Sequence, residues 1–212
     1  EGLELRGKYL WSGELITALY RHLRVEPGIT AVDVGCGSGF LTRLIAKGLK
    51  GQGRVIGVDI DQKLLDSARE LAQRKGLHSM TEFKKASAYK LPFPNNFADV
   101  VTCHTLLYIL GKPLKAVREM VRIAKPHGRV VAIEPDYRGC VIHNPFDEKY
   151  EELAYRFNSA VIHVFKKIYG ADLCIGSKLP SIFMKVQLTQ IEAYGYLLPT
   201  SPPTWENKYS IE

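Results

Sequence analysis

The sequence predicts an α/β protein, built as a doubly wound, mostly parallel sheet with helices on both faces and a helical C-terminal lid. Three observations predict it. Short apolar runs of strand length alternate with longer stretches of helical period, an order that parallel strands joined by right-handed crossovers accommodate. The first of these runs, TAVDV (30–34), leads directly into glycine-rich GCGSG (35–39) and then into a helix. The 212 residues, 46% hydrophobic and 24% charged, are enough for one domain with a sizeable core.

The elements follow in order. An amphipathic helix covers 9–23, and TAVDV is a buried strand. The helix after the glycines runs from about Phe40 to Lys47, with Leu41, Leu44 and Ile45 on one face and Gly48 as its stop. RVIGVD (54–59) is the second strand. Asp61 stands as an N-cap before a helix whose apolar face carries Leu64, Leu65, Ala68, Leu71 and Ala72, and Gly76 ends it. Strands three to five fall at Thr81–Ala86, Ala98–Cys103 and Arg129–Ile133. Pro113 opens the helix before the last of these, which carries Leu114, Val117, Met120 and Val121. Asn144-Pro145 opens a long helix to about Tyr169, with Leu153, Phe157, Val161, Val164, Phe165 and Ile168 at helical spacing. That stripe reads first as core or lid packing and second as a substrate wall. A short helix, Leu179–Val186, leads into a strand-like stretch, Leu188–Tyr196.

The chemistry begins at the glycine loop. Gly35, Gly37 and Gly39 permit tight turning and close approach of backbone to a ligand. Their spacing is GxGxG. A dinucleotide fingerprint would need its third glycine at Phe40, and no GxxxxGK[ST] exists, so neither an NAD site nor a P-loop fits. Asp59 ends the next strand, where a carboxylate can accept from both hydroxyls of a ribose. The alternative is a cap on the following helix, for which Asp61 is better placed.

Several motifs in order then resemble the class I S-adenosylmethionine-dependent methyltransferases, and within them the small-molecule branch of ubiquinone and menaquinone methyltransferases. They are VDVGCGSG (32–39), GVDID (57–61), ASAYKLPFPNNFADVV (86–101), REMVRIAKPHGRVVAIEP (118–135) and GADLCIGSKLPSIF (170–183). The resemblance implies a Rossmann-like sheet and S-adenosylmethionine as methyl donor. It implies one domain: a helical cap (1–24), a cofactor-binding core (25–136) and a substrate lid with the sheet edge (137–212).

It also implies roles. Asp33, Gly35, Cys36, Gly37 and Ser38 would surround the methionyl group, with Asp33 toward its ammonium. Asp59 would hold the ribose and Ile60 would pack on the adenine. Ser87-Ala88 stands where the family usually has Asp-Ala, so Ser87 would take the adenine amino group with a weaker acceptor. His104 follows the fourth strand and is either a base for a substrate hydroxyl or a structural residue. Tyr108 and Glu134 are candidates to meet the substrate, with anchoring of the neighbouring loop as the alternative for Glu134. Tyr9 and Trp11 would close over the cofactor. Little more is required of side chains, because the sulfonium already activates its methyl group. Alignment and exclusion of water can supply ~7–11 kcal/mol of the acceleration.

Composition bounds the rest. No apolar run reaches bilayer length. EGLELRGKYLW lacks the basic start and apolar core of a signal peptide, and without an initiator methionine it need not be the native start. Cys36, Cys103, Cys140 and Cys174 form no CxxC pair, which points to reduced thiols in a cytoplasmic protein with no metal site. The formal charge of +7 is dispersed, so a small-molecule acceptor is favoured over nucleic acid as the partner. The oligomeric state has no signature.

The competing readings are an RNA or protein methyltransferase, a non-catalytic cofactor-binding subunit of the same fold, and an NAD-dependent oxidoreductase. Against the first, CHTLLY (103–108) stands where base-directed members carry [DN]PP[YF], and no Pro-Cys pair exists. Ser87 is the best support for the second, and Phe40 argues against the third. The family sheet usually ends in an antiparallel pair, for which Leu188–Tyr196 is the first candidate. PTSPPTWENKYSIE (199–212) offers no convincing partner, so the chain is expected to be truncated, or its sheet edge rearranged or completed by another chain. A seven-stranded sheet within 1–212 would refute this.

Overall fold

The computed structural model describes residues 13–139 and 148–196. Five strands, β1 (Thr30–Val34), β2 (Arg54–Asp59), β3 (Thr81–Lys85), β4 (Ala98–His104) and β5 (Ala124–Ile133), form one sheet in the order β3-β2-β1-β4-β5. Every pairing is parallel. The order reverses between β1 and β4, so the chain leaves these two strands in opposite lateral directions and a crevice opens at their C-terminal ends.

Alternation along the strands sends side chains to two faces. Val32, Val34, Ile56, Val58, Val101 and Cys103 join one core with Ala116, Val117, Met120 and Ile123 of α4 (Pro113–Ile123). Their neighbours Ala31, Val55 and Val100 join another with α1 (Gly13–Leu23) and α2 (Phe40–Gly48), through Leu19, Leu23, Leu41, Ile45 and Ala46. On that second face α3 (Gln62–Arg74) sets Leu65, Ala68 and Ala72 against Phe83 and Cys36. Asp61 caps α3 by accepting the Lys63 N–H at 2.8 Å, and Pro113 occupies the first turn of α4.

Before β4 the chain runs without regular structure from Leu91 to Phe97, yet Leu91 and Phe93 are buried. Arg122 of α4 makes this feasible. Its guanidinium donates to the carbonyls of Leu91 and Phe93 and to Asn95 Oδ1, and it is held by Glu119, whose carboxylate also accepts the Leu91 N–H.

Two expectations need correction. β5 begins at Ala124 rather than Arg129. Ala98 pairs with Ala124 and Val100 with Arg129, so two steps along β4 face five along β5, and the excess bulges at Pro126 and His127 (φ 63°). Pro126 carries no N–H for a regular ladder, which accounts for a bulge at this point. Leu188–Tyr196 is not a strand. Left-handed backbone at Gln187 (φ 62°) and Gln190 (φ 53°) breaks the extended path. The segment instead crosses to α1, where the Tyr194 ring lies 4.1 Å from that of His22 and the Tyr196 hydroxyl 3.0 Å from its Nε2. Among the described residues the sheet has five strands; residues 197–212 lie outside them, as do 1–12 with Tyr9 and Trp11, and 140–147 with Cys140 and the expected helix start at Asn144.

After β5 come α5 (Glu148–Tyr169) and α6 (Leu179–Met184). Between them Ala171, Leu173, Cys174 and Ile175 are buried. Asp136 fastens this stretch to the end of β5 by accepting the Ser177 N–H at 2.7 Å, and Arg138 reaches the Cys174 carbonyl and the Ser177 hydroxyl. Partial burial is the largest single influence on the Asp136 carboxyl and pushes it up, but the hydrogen bonds from Ser177 and Arg138 together outweigh it and hold the group at about 2. No helix among the described residues is long and apolar enough to cross a membrane.

Candidate functional site

A cavity of about 480 Å³ opens at the C-terminal ends of β1, β2, β3 and β4, in the switch-point crevice. Of the residues that the sequence nominates, Asp33, Gly35, Cys36, Gly37, Ser38, Asp59, Ile60, Ser87, Ala88, His104 and Tyr108 all line it. Glu134 does not.

The glycine loop leaves β1 by giving the Gly35 and Cys36 N–H groups to the Val58 carbonyl, at 2.7 and 3.0 Å. Gly35 is left-handed (φ 72°), and a Cβ there would come within 2.6 Å of Leu106 Cδ1 on the far wall. Gly39 is also left-handed (φ 76°) as it enters α2, and a Cβ would strike the Phe83 ring. Both positions therefore need glycine for conformation and for space.

Two carboxylates stand around the loop. Asp59 Oδ2 accepts the Gly37 N–H at 2.8 Å and Oδ1 accepts the Asp61 N–H at 2.9 Å. Each oxygen keeps a second acceptor site for a ligand hydroxyl. The cap on α3 is left to Asp61, as the sequence predicts. Asp33 lies deeper, 1% exposed, with Oδ2 accepting the Thr42 hydroxyl at 2.6 Å. Its Oδ1 has no protein partner among the described residues. Burial pushes its carboxyl up to about 6; the Thr42 bonds pull down and the nearby Asp59 charge adds to the rise. Such a group gains most from a cation brought to its free oxygen.

Beside Asp59, the Ile60 side chain is 69% exposed on the cavity wall, an apolar platform for a flat ring. Ser87 Oγ accepts the Tyr89 N–H at 3.2 Å and so braces its own turn, while its hydroxyl proton and second lone pair remain for a ligand. Cys36 is buried, and desolvation next to Asp33 and Asp59 raises its thiol well above the usual range, so it serves as a wall rather than a nucleophile.

The opposite wall is the turn after β4. His104 and Thr105 line the cavity, followed by Leu106, Tyr108, Ile109 and Leu110, with Tyr89 nearby. The apolar character of this end suits a hydrophobic ring. Glu134 lies behind the turn, where its Oε1 accepts the Leu106 and Leu107 N–H groups and its Oε2 that of Tyr108. That is the anchoring alternative of the sequence reading, in place of a wall position. Sequence reasoning missed Thr42, Tyr89, Thr105, Leu106 and the Ile109-Leu110 pair. Tyr89 carried a signal, as an aromatic directly after the Ser-Ala pair. The others are ordinary residues whose importance comes only from the fold.

Comparison with known proteins agrees with this geometry. Residues 32–132 match the methyltransferase domain family. Over 117 residues the chain is 38% identical to an uncharacterized methyltransferase of Schizosaccharomyces pombe, covering 53% of this chain and 42% of the relative. Over 110 residues it is 40% identical to the ubiquinone/menaquinone biosynthesis C-methyltransferase UbiE of Burkholderia vietnamiensis, covering 52% and 44%. The chain thus spans less than half the length of these relatives. A crystal structure of a SAM-dependent methyltransferase from Aquifex aeolicus shares the fold, with a TM-score of 0.57 and 24% identity over 72% of this chain and 81% of that one. With its GxGxG loop, the carboxylate closing β2 and the crevice between β1 and β4, the segment 32–132 is similar to methyltransferase domains in sequence and to S-adenosylmethionine-dependent methyltransferases in fold.

Proposed function

We propose that this protein transfers a methyl group from S-adenosylmethionine to a small apolar ring acceptor, of which a quinol is the leading candidate. The observation that carries the reading is the pair of carboxylates at the glycine loop. Asp33 offers a buried oxygen without a protein partner among the described residues, suited to an ammonium, and Asp59 offers two braced oxygens, suited to vicinal hydroxyls. When bound, the cofactor supplies a methyl group already activated for in-line displacement.

The chain's own residues then bind, orient and exclude water. Asp33 and the 35–38 backbone take the charged end, Asp59 the ribose, and Ile60 with Ser87 and Ala88 the adenine. His104, at the end of β4, is placed to accept a proton from an acceptor hydroxyl or to orient it. Tyr108, Ile109, Leu110 and Tyr89 supply the apolar wall for the acceptor ring. The names of the UbiE and demethylmenaquinone methyltransferase relatives support a quinone-type acceptor. The three buried free thiols among the described residues support a reducing, cytoplasmic setting.

The test is parallel calorimetric titration of the wild type and Asp59→Ala with S-adenosylmethionine and with NAD, followed by transfer of labelled methyl to a short-chain demethylmenaquinol. Binding of S-adenosylmethionine that the substitution weakens, with transfer by the wild type, supports the reading. Binding of NAD alone, or equal binding of S-adenosylmethionine by both proteins, overturns it.

A further inference from the structure

We propose that Glu134 is a positioning residue, whose carboxylate shapes the turn after β4 so that His104 and Tyr108 face the cavity and Leu106 seats against the glycine loop. The proposal rests on the methyltransferase reading of the cavity and assigns a role within it to a side chain that does not reach it.

The turn has a strained start. Thr105 is left-handed (φ 51°), a conformation that a β-branched residue adopts only under constraint. One constraint is the bond from the Thr105 N–H to the Ile133 carbonyl, 2.8 Å. The next residue, directly after the end of that strand, is Glu134, and it supplies the rest. Oε1 accepts from Leu106 at 2.9 Å and Leu107 at 2.8 Å, and Oε2 from Tyr108 at 3.3 Å. These three N–H groups open a short 3-10 turn, Leu107–Ile109, which has no side-chain cap of its own. Glu134 therefore satisfies from a distance the donors that a local cap would satisfy. The Tyr108 carbonyl is held in addition by the Asp172 N–H at 2.6 Å.

The consequence reaches the cofactor wall through Leu106. Its side chain fills the space over Gly35, close enough that a Cβ there would collide with Cδ1 at 2.6 Å. Moving the turn moves this contact. Three N–H donors converge on two carboxylate oxygens, and a glutamine cannot replace both, because its amide nitrogen would meet one donor with another.

The experiment is residue-resolved amide hydrogen exchange by NMR on the full chain, combined with calorimetric titration of S-adenosylhomocysteine. In the wild type, Leu106 and Leu107 should exchange at least about tenfold more slowly than Gly111, just beyond the turn. Equal rates overturn the proposal without any variant. In Glu134→Gln, exchange at Leu106, Leu107 and Tyr108 should rise about tenfold, while the amides of β1 and β2 keep their rates. S-adenosylhomocysteine affinity should fall about three- to tenfold. Unchanged exchange in the turn, or loss of protection throughout the sheet, overturns the positioning role. Lost protection with unchanged affinity overturns the link to the glycine loop. A wild type that does not bind S-adenosylhomocysteine counts against the methyltransferase reading, and the exchange rates still decide the role of Glu134.

Discussion

The glycine loop and the turn after β4 face each other across one cavity, and they are held in different ways. On the first wall the supports are near in sequence. Thr42 braces Asp33, Arg43 donates to the Ser38 carbonyl at 2.5 Å, and the Gly39 N–H returns to the Cys36 carbonyl at 2.8 Å. From farther away come Val58 and Asp59, both at the end of the adjacent strand. On the second wall the supports are remote: Glu134 on the far side of α4, and Asp172 beyond α5. Local bracing leaves a written motif, whereas remote bracing leaves single residues that mean little until the chain is folded.

Asp59→Ala attacks the first wall most directly. It removes a charged acceptor of ligand hydroxyls and also the brace on Gly37, so S-adenosylmethionine affinity should fall on the order of 100-fold by calorimetry, with little change in the turn after β4.

Asp33 tests the same wall through protons. In the unfolded chain its carboxyl ionises near 3.8 and in the folded chain at about 6. Folding is increasingly disfavoured as pH rises through that interval, and the whole cost stands above it. Asp33→Asn should accordingly stabilise the free protein at pH 7.5 by roughly 2–3 kcal/mol, seen in denaturant titration, and have little effect below pH 4. The same substitution should weaken S-adenosylmethionine binding, and the wild type should bind about tenfold more tightly at pH 7 than at pH 5. Stability that does not depend on pH in this way would remove Asp33 as the buried acid of the site.

Gly35→Ala sharpens the comparison, because it places a methyl group between the walls. The left-handed backbone and the clash with Leu106 should together cost about 1–2 kcal/mol of stability and weaken the cofactor. The smallest effect is expected outside both walls. Phe157 on α5 is 70% exposed, so Phe157→Ser should change stability by less than about 0.5 kcal/mol. A larger loss on thermal unfolding would show that this helix face is covered in solution.

The same contrast explains what could be read in advance. β1 and β2 were legible because buried parallel strands are short apolar runs, and the loop between β1 and α2 because its glycines stand where the backbone needs them. Asp61 was separable from Asp59 because a cap has a fixed place one residue before its helix. The start of β5 was not legible, since Pro126 reads as a turn and only the register against β4 shows a bulge. Leu188–Tyr196 is strand-like in composition, but the left-handed backbone at Gln190, and at Gln187 just before it, is invisible there. Glu134 was visible as an acid at the end of a strand. Its direction, behind the turn instead of into the cavity, depends on three backbone groups some 26 to 28 positions away.

Arg122 shows how an irregular segment is admitted to the interior. Residues 91 to 97 have no ladder, and the burial of Leu91 and Phe93 draws their carbonyls away from water. A flat guanidinium with five donors stands in for the absent neighbouring strand, serving two carbonyls and an amide oxygen while Glu119 balances its charge. Lysine has the charge but not the fork, so it would release this run. The run delivers the chain to Ala98, and β4 then carries it to His104. Arg122 thus anchors, at the opposite end of the strand, the chain that leads to the turn lining the cavity, and it does not line that cavity itself.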